Sequence, residues 1–384
     1  MYLLFAYLLA LPGGVALAAD GPTLAARFEC SRCHTSDQWA PPPPEKQCLG
    51  CHTQILAGTF QAEPEILARW QGRLVSLNQV PSLVGVGARL QRSWLVKFLS
   101  EPEDIRPGLP AMMPRFAFGP GEAEALAAWL APPDEAPAPL PGDPARGRTR
   151  FGELACWACH PFTGADLPAS VPTQLAPEVL ARGAPLAPDL RITRARFRPS
   201  ALARWIRAPQ SLKPDSAMPA LPMSEADAQD MAAWILTTPL APTAPPPVPS
   251  TPLPLDRPVK WAEVEARVFK HVCWHCHSDP AFAVGDGGPG NTGGFGFPAR
   301  GLNLATYQGI SSGITDPATG KRRSVFAPGP DGKTPLLIAA LMARHAEVAG
   351  QPVPGVRGMP LGLPPMPLED IQRVITWVAQ GRPR

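Results

Sequence analysis

Four short motifs account for every cysteine in this sequence. The eight cysteines form four Cys-x-x-Cys pairs, and a histidine directly follows each pair. The four motifs are Cys30, Cys33 and His34; Cys48, Cys51 and His52; Cys156, Cys159 and His160; and Cys273, Cys276 and His277. Because the chain has only 7 histidines, composition alone does not explain four such coincidences. Cys-x-x-Cys-His is the signature of covalent attachment of c-type haem.

The spacing suits haem attachment better than the other uses of cysteine pairs. Two thiols three residues apart can each bond one haem vinyl group from a single helical turn, and the next residue presents an imidazole to the iron. A zinc ribbon needs two pairs for each metal, and the third and fourth pairs here are isolated. A thioredoxin-like site needs one pair between a strand and a helix. We therefore predict four covalently bound haem c groups with the four trailing histidines as proximal iron ligands.

Composition indicates several small domains. The 384 residues include 53 prolines, yet 45% of the chain is hydrophobic, which favours packed domains joined by proline-rich connectors. Such connectors are extended spacers that would keep the domains apart. The predicted parts are a signal peptide (1–19), a dihaem domain (20–132), a linker (133–141), a monohaem domain (142–238), a second linker (239–257) and a monohaem domain with an insertion (258–384).

The N-terminus is typical of an exported protein. An apolar core from Tyr2 to Leu11 is followed by Ala16-Leu17-Ala18, which fits a secretory signal and its cleavage site. No Lys or Arg precedes the core, and the alternative is an uncleaved anchor of marginal spanning length. We expect a periplasmic or outward-facing protein, possibly held at a membrane through a complex.

The sequence also repeats itself around its methionines. Helical segments from Ser93 and from Ser200 each lead into a loop with Met-Pro and then into a closing helix that contains a tryptophan. The distances from Met113 to Trp129 and from Met218 to Trp234 are both 16 residues. A third closing helix contains Trp377, and apolar residues recur at helical spacing in all three. This order predicts an all-α fold.

The order of helix, haem motif, Met-Pro loop and closing helix resembles the class I-like cytochrome c domain. The chain as a whole resembles a multihaem c-type cytochrome built from three such domains. In that family the methionine before proline is the second axial ligand of the iron. The resemblance therefore implies the axial pairs His52–Met113, His160–Met218 and His277–Met359, with Met112 as a rival of Met113.

The first haem is the exception in this scheme. Only 13 residues separate His34 from Cys48, so haem one must be carried by the module of haem two. Its sixth ligand is left open: Met112, His271 and His345 are the candidates, and an iron without a protein ligand is the remaining option.

Histidine–methionine ligation predicts electron transfer without substrate turnover. A thioether opposite an imidazole raises the reduction potential, and six-coordinate iron has no place for a substrate. We expect single-electron transfer outside the cytoplasm, as a carrier or as a subunit of a respiratory complex, with redox proteins as partners. The alternative is a peroxidase-like oxidoreductase with haem one as an open catalytic site.

An arginine-rich segment (191–207) has two interpretations. It is either a docking patch for an acidic redox protein or a helix face whose arginines pair with haem propionates. The net charge of +3 with 17% charged residues argues against a nucleic-acid partner, and we expect no nucleotide cofactor.

Overall fold

The computed structural model describes residues 19–74, 79–103, 105–109, 112–136, 138–280 and 288–384. The predicted signal sequence, apart from Ala19, lies outside the described residues. The described chain is mostly helical, which confirms the all-α prediction. Its α-helices are α1 (Gly21–Arg27), α2 (Cys48–Ala57), α3 (Pro64–Leu74), α4 (Arg92–Ser100), α5 (Glu122–Leu130), α6 (Pro144–Glu153), α7 (Pro177–Gly183), α8 (Thr193–Arg196), α9 (Pro199–Arg207), α10 (Glu225–Thr237), α11 (Trp261–Val264), α12 (Tyr307–Ser312), α13 (Leu336–Val348) and α14 (Leu368–Ala379).

The strands and the shorter helical turns occupy little of the described chain. Strands β1 (Ile314–Thr315) and β2 (Arg322–Arg323) form one antiparallel pair in the last segment. A π-helical stretch (Glu265–Cys273) continues α11 into the fourth motif. Short 3₁₀ turns (Cys30–Arg32 and Cys156–Ala158) open the first and third motifs.

Two helix crossings organise the first and second segments. Helix α1 packs against α5, and α6 packs against α10. Each crossing depends on a glycine: a Cβ on Gly21 would lie 2.2 Å from the Cβ of Trp129, and a Cβ on Gly147 would lie 2.0 Å from the carbonyl oxygen of Asp230. Since real side chains do not approach so closely, only glycine allows these helices to touch.

We expect Gly147→Ala to destabilise the second segment by about 1–3 kcal/mol, because the new methyl group must displace backbone of α10. Chemical unfolding followed by far-ultraviolet circular dichroism measures this change. Gly72→Ala in α3 is the control: no heavy atom lies within 4 Å of its added Cβ, so helix propensity alone predicts a small stabilisation. Equal effects of the two substitutions would contradict the crossing described here.

The first and second segments share one hydrophobic core. Leu24, Phe28, Phe151 and Trp234 all belong to the same cluster of buried side chains. The segments are therefore not kept apart by the first linker, as the proline-rich composition had suggested. A continuous core forms because apolar faces of both repeats remain uncovered until they meet.

The contact between these two segments is nearly symmetric. Leu90 and Phe197 form an antiparallel bridge, and the Gln91 N–H donates to the Arg196 carbonyl at 2.9 Å. Leu90 and Phe197 hold the same place before their helices, α4 and α9, in the two repeats. The repeats thus meet through equivalent surfaces, as subunits do in an isologous dimer.

The first linker is fixed to this pair of segments. The Glu135 carboxylate accepts hydrogen bonds from Arg198 Nε at 3.1 Å and from the Ser200 N–H at 3.0 Å. The described residues of the linker (133–136 and 138–141) form no helix, as its prolines predict, and Glu135 anchors them to the second segment.

The last segment has its own core and also contacts the first segment. Its core surrounds Trp377, which is completely buried. Across the contact, the Phe295 N–H donates to the Glu29 carboxylate at 3.0 Å, and Arg357 donates to the Arg115 carbonyl at 2.6 Å. Across the ranges that the structure describes, no helix is long and apolar enough to span a membrane.

Candidate haem sites

The first and third motifs have the same backbone geometry. A residue with positive φ precedes each motif, Glu29 at 53° and Ala155 at 51°, and a 3₁₀ turn follows. The N–H of each motif's histidine donates to the carbonyl of the first cysteine, at 2.9 Å for His34 and 3.0 Å for His160. Both cysteines and the histidine of each motif are thus held in one compact turn, as attachment of a single haem requires.

Both histidines have hydrogen bonds that would suit an iron ligand. Nδ1 of His34 lies 2.8 Å from the Pro81 carbonyl, and Nδ1 of His160 lies 2.9 Å from the Pro188 carbonyl. A carbonyl can only accept, so Nδ1 carries the proton and Nε2 keeps its lone pair for the metal. Burial lowers the pKa of both rings, which favours the neutral form that binds iron.

The fourth motif holds its histidine differently. Burial lowers the pKa of His277 to about 4, so this ring is also neutral. Its ring packs directly against Gly290, where an added Cβ would lie 1.9 Å from Nδ1. The backbone at Gly290, in the last segment, therefore positions this histidine.

The complete module of the first segment surrounds the first motif rather than the second. The chain returns to the first motif directly after His34. The Leu83 N–H donates to the Thr35 carbonyl at 2.8 Å, and the Pro81 carbonyl accepts from the His34 ring. The second motif lies on α2, inside an insertion between these closing residues. These contacts favour the first motif as the centre of the module, whereas the sequence favoured the second; which haem the module carries stays a prediction. The spacing of the cysteines does not show which of the first two motifs lies in the insertion and which lies in the module.

The candidate methionines belong to the same packed regions as three of the motifs. Met113 and Cys30 both pack against the hydrophobic cluster that contains Phe28. Met359 packs against the last core together with Cys273. The loop before Met218 lies near Cys159, since a Cβ on Gly183 would be 3.5 Å from the Ala217 carbonyl oxygen and 4.0 Å from the Cys159 sulfur. The axial pairs themselves remain predictions.

The candidates for the sixth ligand of haem one have different surroundings. His345 directs Nε2 at the Met366 carbonyl, 2.9 Å away, within the last segment. His271 is exposed on the π-helical stretch before the fourth motif. The carbonyl of Met112 lies against Gly362, where an added Cβ would be 2.8 Å from it.

The cysteine environments fit attachment rather than thiol chemistry. Burial raises the pKa of Cys30 to about 11 and those of Cys156 and Cys273 to about 12. A hydrogen bond with Cys48 raises the pKa of Cys33, which places the first two motifs side by side. Thiols with raised pKa values are poor nucleophiles.

A cluster of arginines fits the propionates of a haem. The Nε atoms of Arg89 and Arg196 are buried and make no hydrogen bond within the described residues. Burial, together with the charges of Arg89 and Arg106, lowers the pKa of Arg196 to about 10. Buried cations are normally paired with anions, and each haem carries two carboxylates. The residues present therefore fit the cofactor that the motifs imply.

Most of the arginine-rich segment is engaged within the chain. Arg191 donates to the Thr163 carbonyl, Arg194 to the Thr238 carbonyl, Arg198 to Glu135 and Arg204 to Ser211. These contacts support the interpretation as a helix face with structural arginines. The docking-patch interpretation remains untested.

Comparison with known proteins agrees with this geometry in the second segment. The family described as cytochrome c matches residues 144–239, which run from α6 through the third motif to the end of α10. The match and the geometry of the third motif together support a cytochrome c domain in this segment, which implies covalently bound haem and suggests electron transfer. No curated protein and no solved structure matches the chain.

Proposed function

We propose that this protein is a tetrahaem c-type cytochrome that transfers single electrons outside the cytoplasm. It acts as a carrier or as an electron-transfer subunit of a respiratory complex, with redox proteins as partners. The observation that carries the proposal is the set of four Cys-x-x-Cys-His motifs, of which the first and third share one backbone geometry and the third lies in the matched cytochrome c domain.

The ligand sets follow from the modules. We assign Met113 to haem one with His34, Met218 to haem three with His160, and Met359 to haem four with His277. Bound haem c supplies one reversible electron per iron. The chain's part is to hold the histidines neutral and oriented and to present a thioether that raises the potential.

The packing of the segments supports electron passage among the haems. Cys33 and Cys48 are hydrogen-bonded, so the haems attached there would have neighbouring edges. The shared core joins the first and third haem modules, and the Phe295–Glu29 contact joins the first and last segments. Export and assembly with a membrane complex are proposed from the N-terminal sequence alone.

The contacts around the first motif support electron transfer over the peroxidase-like alternative. That alternative required an iron without a module and without a sixth ligand. The ring of His34 is held by the Pro81 carbonyl, and Met113 packs against the same hydrophobic cluster as Cys30, so we assign a sixth ligand to this iron.

Electron exchange and peroxide turnover distinguish the two functions. We expect all four haems of the reduced chain to be oxidised by one-electron mediators, with no sustained peroxide-dependent oxidation of a reduced donor. Stopped-flow absorbance and a peroxide assay on the same preparation measure both. Sustained peroxide turnover by the purified chain would contradict the proposal. Co-elution with membrane proteins in mild detergent would identify a subunit rather than a carrier.

A further inference from the structure

The rings of His52 and His275 lie close together where the last segment meets the first. Their ring centres are 6.4 Å apart, and their planes are inclined at 50°. A metal–imidazole bond is about 2.0 Å long and the ring centre lies about 1.1 Å behind the bonding nitrogen, so two imidazoles on opposite sides of one metal have centres about 6.2 Å apart. The observed separation matches that of an axial pair.

We propose that His275 is the sixth iron ligand of the haem attached to Cys48 and Cys51. The inference rests on the proposed tetrahaem function and adds a ligand that its sequence motif does not suggest. His275 lies between the two cysteines of the fourth motif, where the intervening residues have no role in attaching that haem. It would therefore serve a different haem from the one its own motif binds.

The fourth motif leaves the His275 side chain available. Side chains two positions apart on a helical turn point about 200° apart. His277 is consequently directed inward, where Gly290 packs on its ring, while His275 is exposed. The turn itself is held by the His277 N–H, which donates to the Cys273 carbonyl at 2.9 Å.

The last segment packs closely against the first segment near the two rings. A Cβ on Gly296 would lie 2.5 Å from the ring of Phe28, so the last segment approaches the first as closely as glycine allows. The guanidinium of Arg32 lies 5.0 Å from the ring centre of Phe295, and Glu29 accepts the Phe295 N–H. These contacts flank the first motif, which neighbours the second through Cys33 and Cys48.

Four of the other histidines make contacts elsewhere in the chain. His34 and His160 donate to proline carbonyls, His277 is packed against Gly290, and His345 faces the Met366 carbonyl. His271 is exposed four residues before His275, which makes it a matched control.

The proposed ligand places haem two between haems one and four. Its attachment residue Cys48 neighbours Cys33, and its distal ligand would belong to the fourth motif. The insertion that carries α2 would then connect two modules rather than form a third site of its own.

Low-temperature electron paramagnetic resonance of the oxidised full chain tests this assignment. We expect one low-spin bis-histidine signal for every four haems in the wild type. His275→Ala should remove that signal and produce a high-spin signal from about a quarter of the haem, with the haem count still four. His271→Ala should leave the spectrum unchanged. His275→Met should replace the bis-histidine signal with a fourth thioether-to-iron near-infrared band and raise one potential.

A wild-type spectrum with four bound haems but no bis-histidine signal would overturn the ligand while leaving the tetrahaem function intact. Four thioether bands in the wild type would also overturn it and point to Met112 instead. The wild-type spectrum is sufficient to test the assignment of His275. The test therefore still holds if a variant fails to bind its haems. Fewer than four haems in the wild type would overturn the tetrahaem function itself, and this inference with it.

Discussion

Replacing Met218 by leucine is expected to lower the reduction potential of one haem by about 0.1 V or more, part of the roughly 0.8 V range that axial ligands span. Leucine keeps the size of the side chain and removes the sulfur that favours ferrous iron. Potentiometric titration followed at the haem absorption bands measures the shift. The other three haems should keep potentials close to those of the wild type, because the ligand is lost at one iron.

Met231→Leu is the matched control for this substitution. Met231 is a buried core residue of α10, and a volume-conserving change there costs less than about 1.5 kcal/mol. It should leave all four potentials in place. A shift of all four haems in the Met218 variant, or of none, would show that Met218 is not the ligand of a single iron.

Glu347→Gln is expected to destabilise the last segment by about 3–5 kcal/mol, because it leaves a buried guanidinium without its counter-ion. The side chains of Glu347 and Arg344 are 5% and 4% exposed and are 3.1 Å apart. The same carboxylate accepts the Gly358 N–H at 2.7 Å and lies 3.9 Å from Arg115 of the first segment. Denaturant unfolding monitored at the haem bands measures the loss.

Glu103→Gln removes an equal charge from an exposed pair. Glu103 lies 3.5 Å from Lys97, with side chains 44% and 62% exposed, so its loss should cost less than about 1 kcal/mol. Similar losses of unfolding free energy in the two variants would mean that the buried Glu347 carboxylate does not stabilise the last segment or its contact with the first.

Local pattern was enough to predict the helices that close each module. Trp129, Trp234 and Trp377 lie on α5, α10 and α14, and Ser224 with Asp227 forms a capping box at the start of α10. These features depend on residues three or four apart, which a single sequence displays directly.

The assignment of the first two motifs could not be predicted in the same way. It depends on Pro81 returning to the ring of His34 across 47 positions, and nothing in the spacing of the cysteines marks that return. The contacts between segments were missed for a similar reason. Proline-rich composition predicts an extended backbone, but Glu135 and the bridge between Leu90 and Phe197 determine where that backbone lies.

His275 illustrates the same limit within one motif. Its position between Cys273 and Cys276 makes it look like part of a haem attachment site, and the ring of His52 is more than two hundred residues away in the chain. Only the packing of the last segment on the first brings the two imidazoles to 6.4 Å.

The central claim is that this chain carries four one-electron centres, one for each Cys-x-x-Cys-His motif. Coulometric redox titration of the purified protein, with iron and protein measured on the same sample, tests it most directly. We predict four irons and four electrons per chain, all accompanied by changes in c-type haem absorption. Fewer electrons than motifs, or a motif that holds zinc in place of haem iron, would contradict the account.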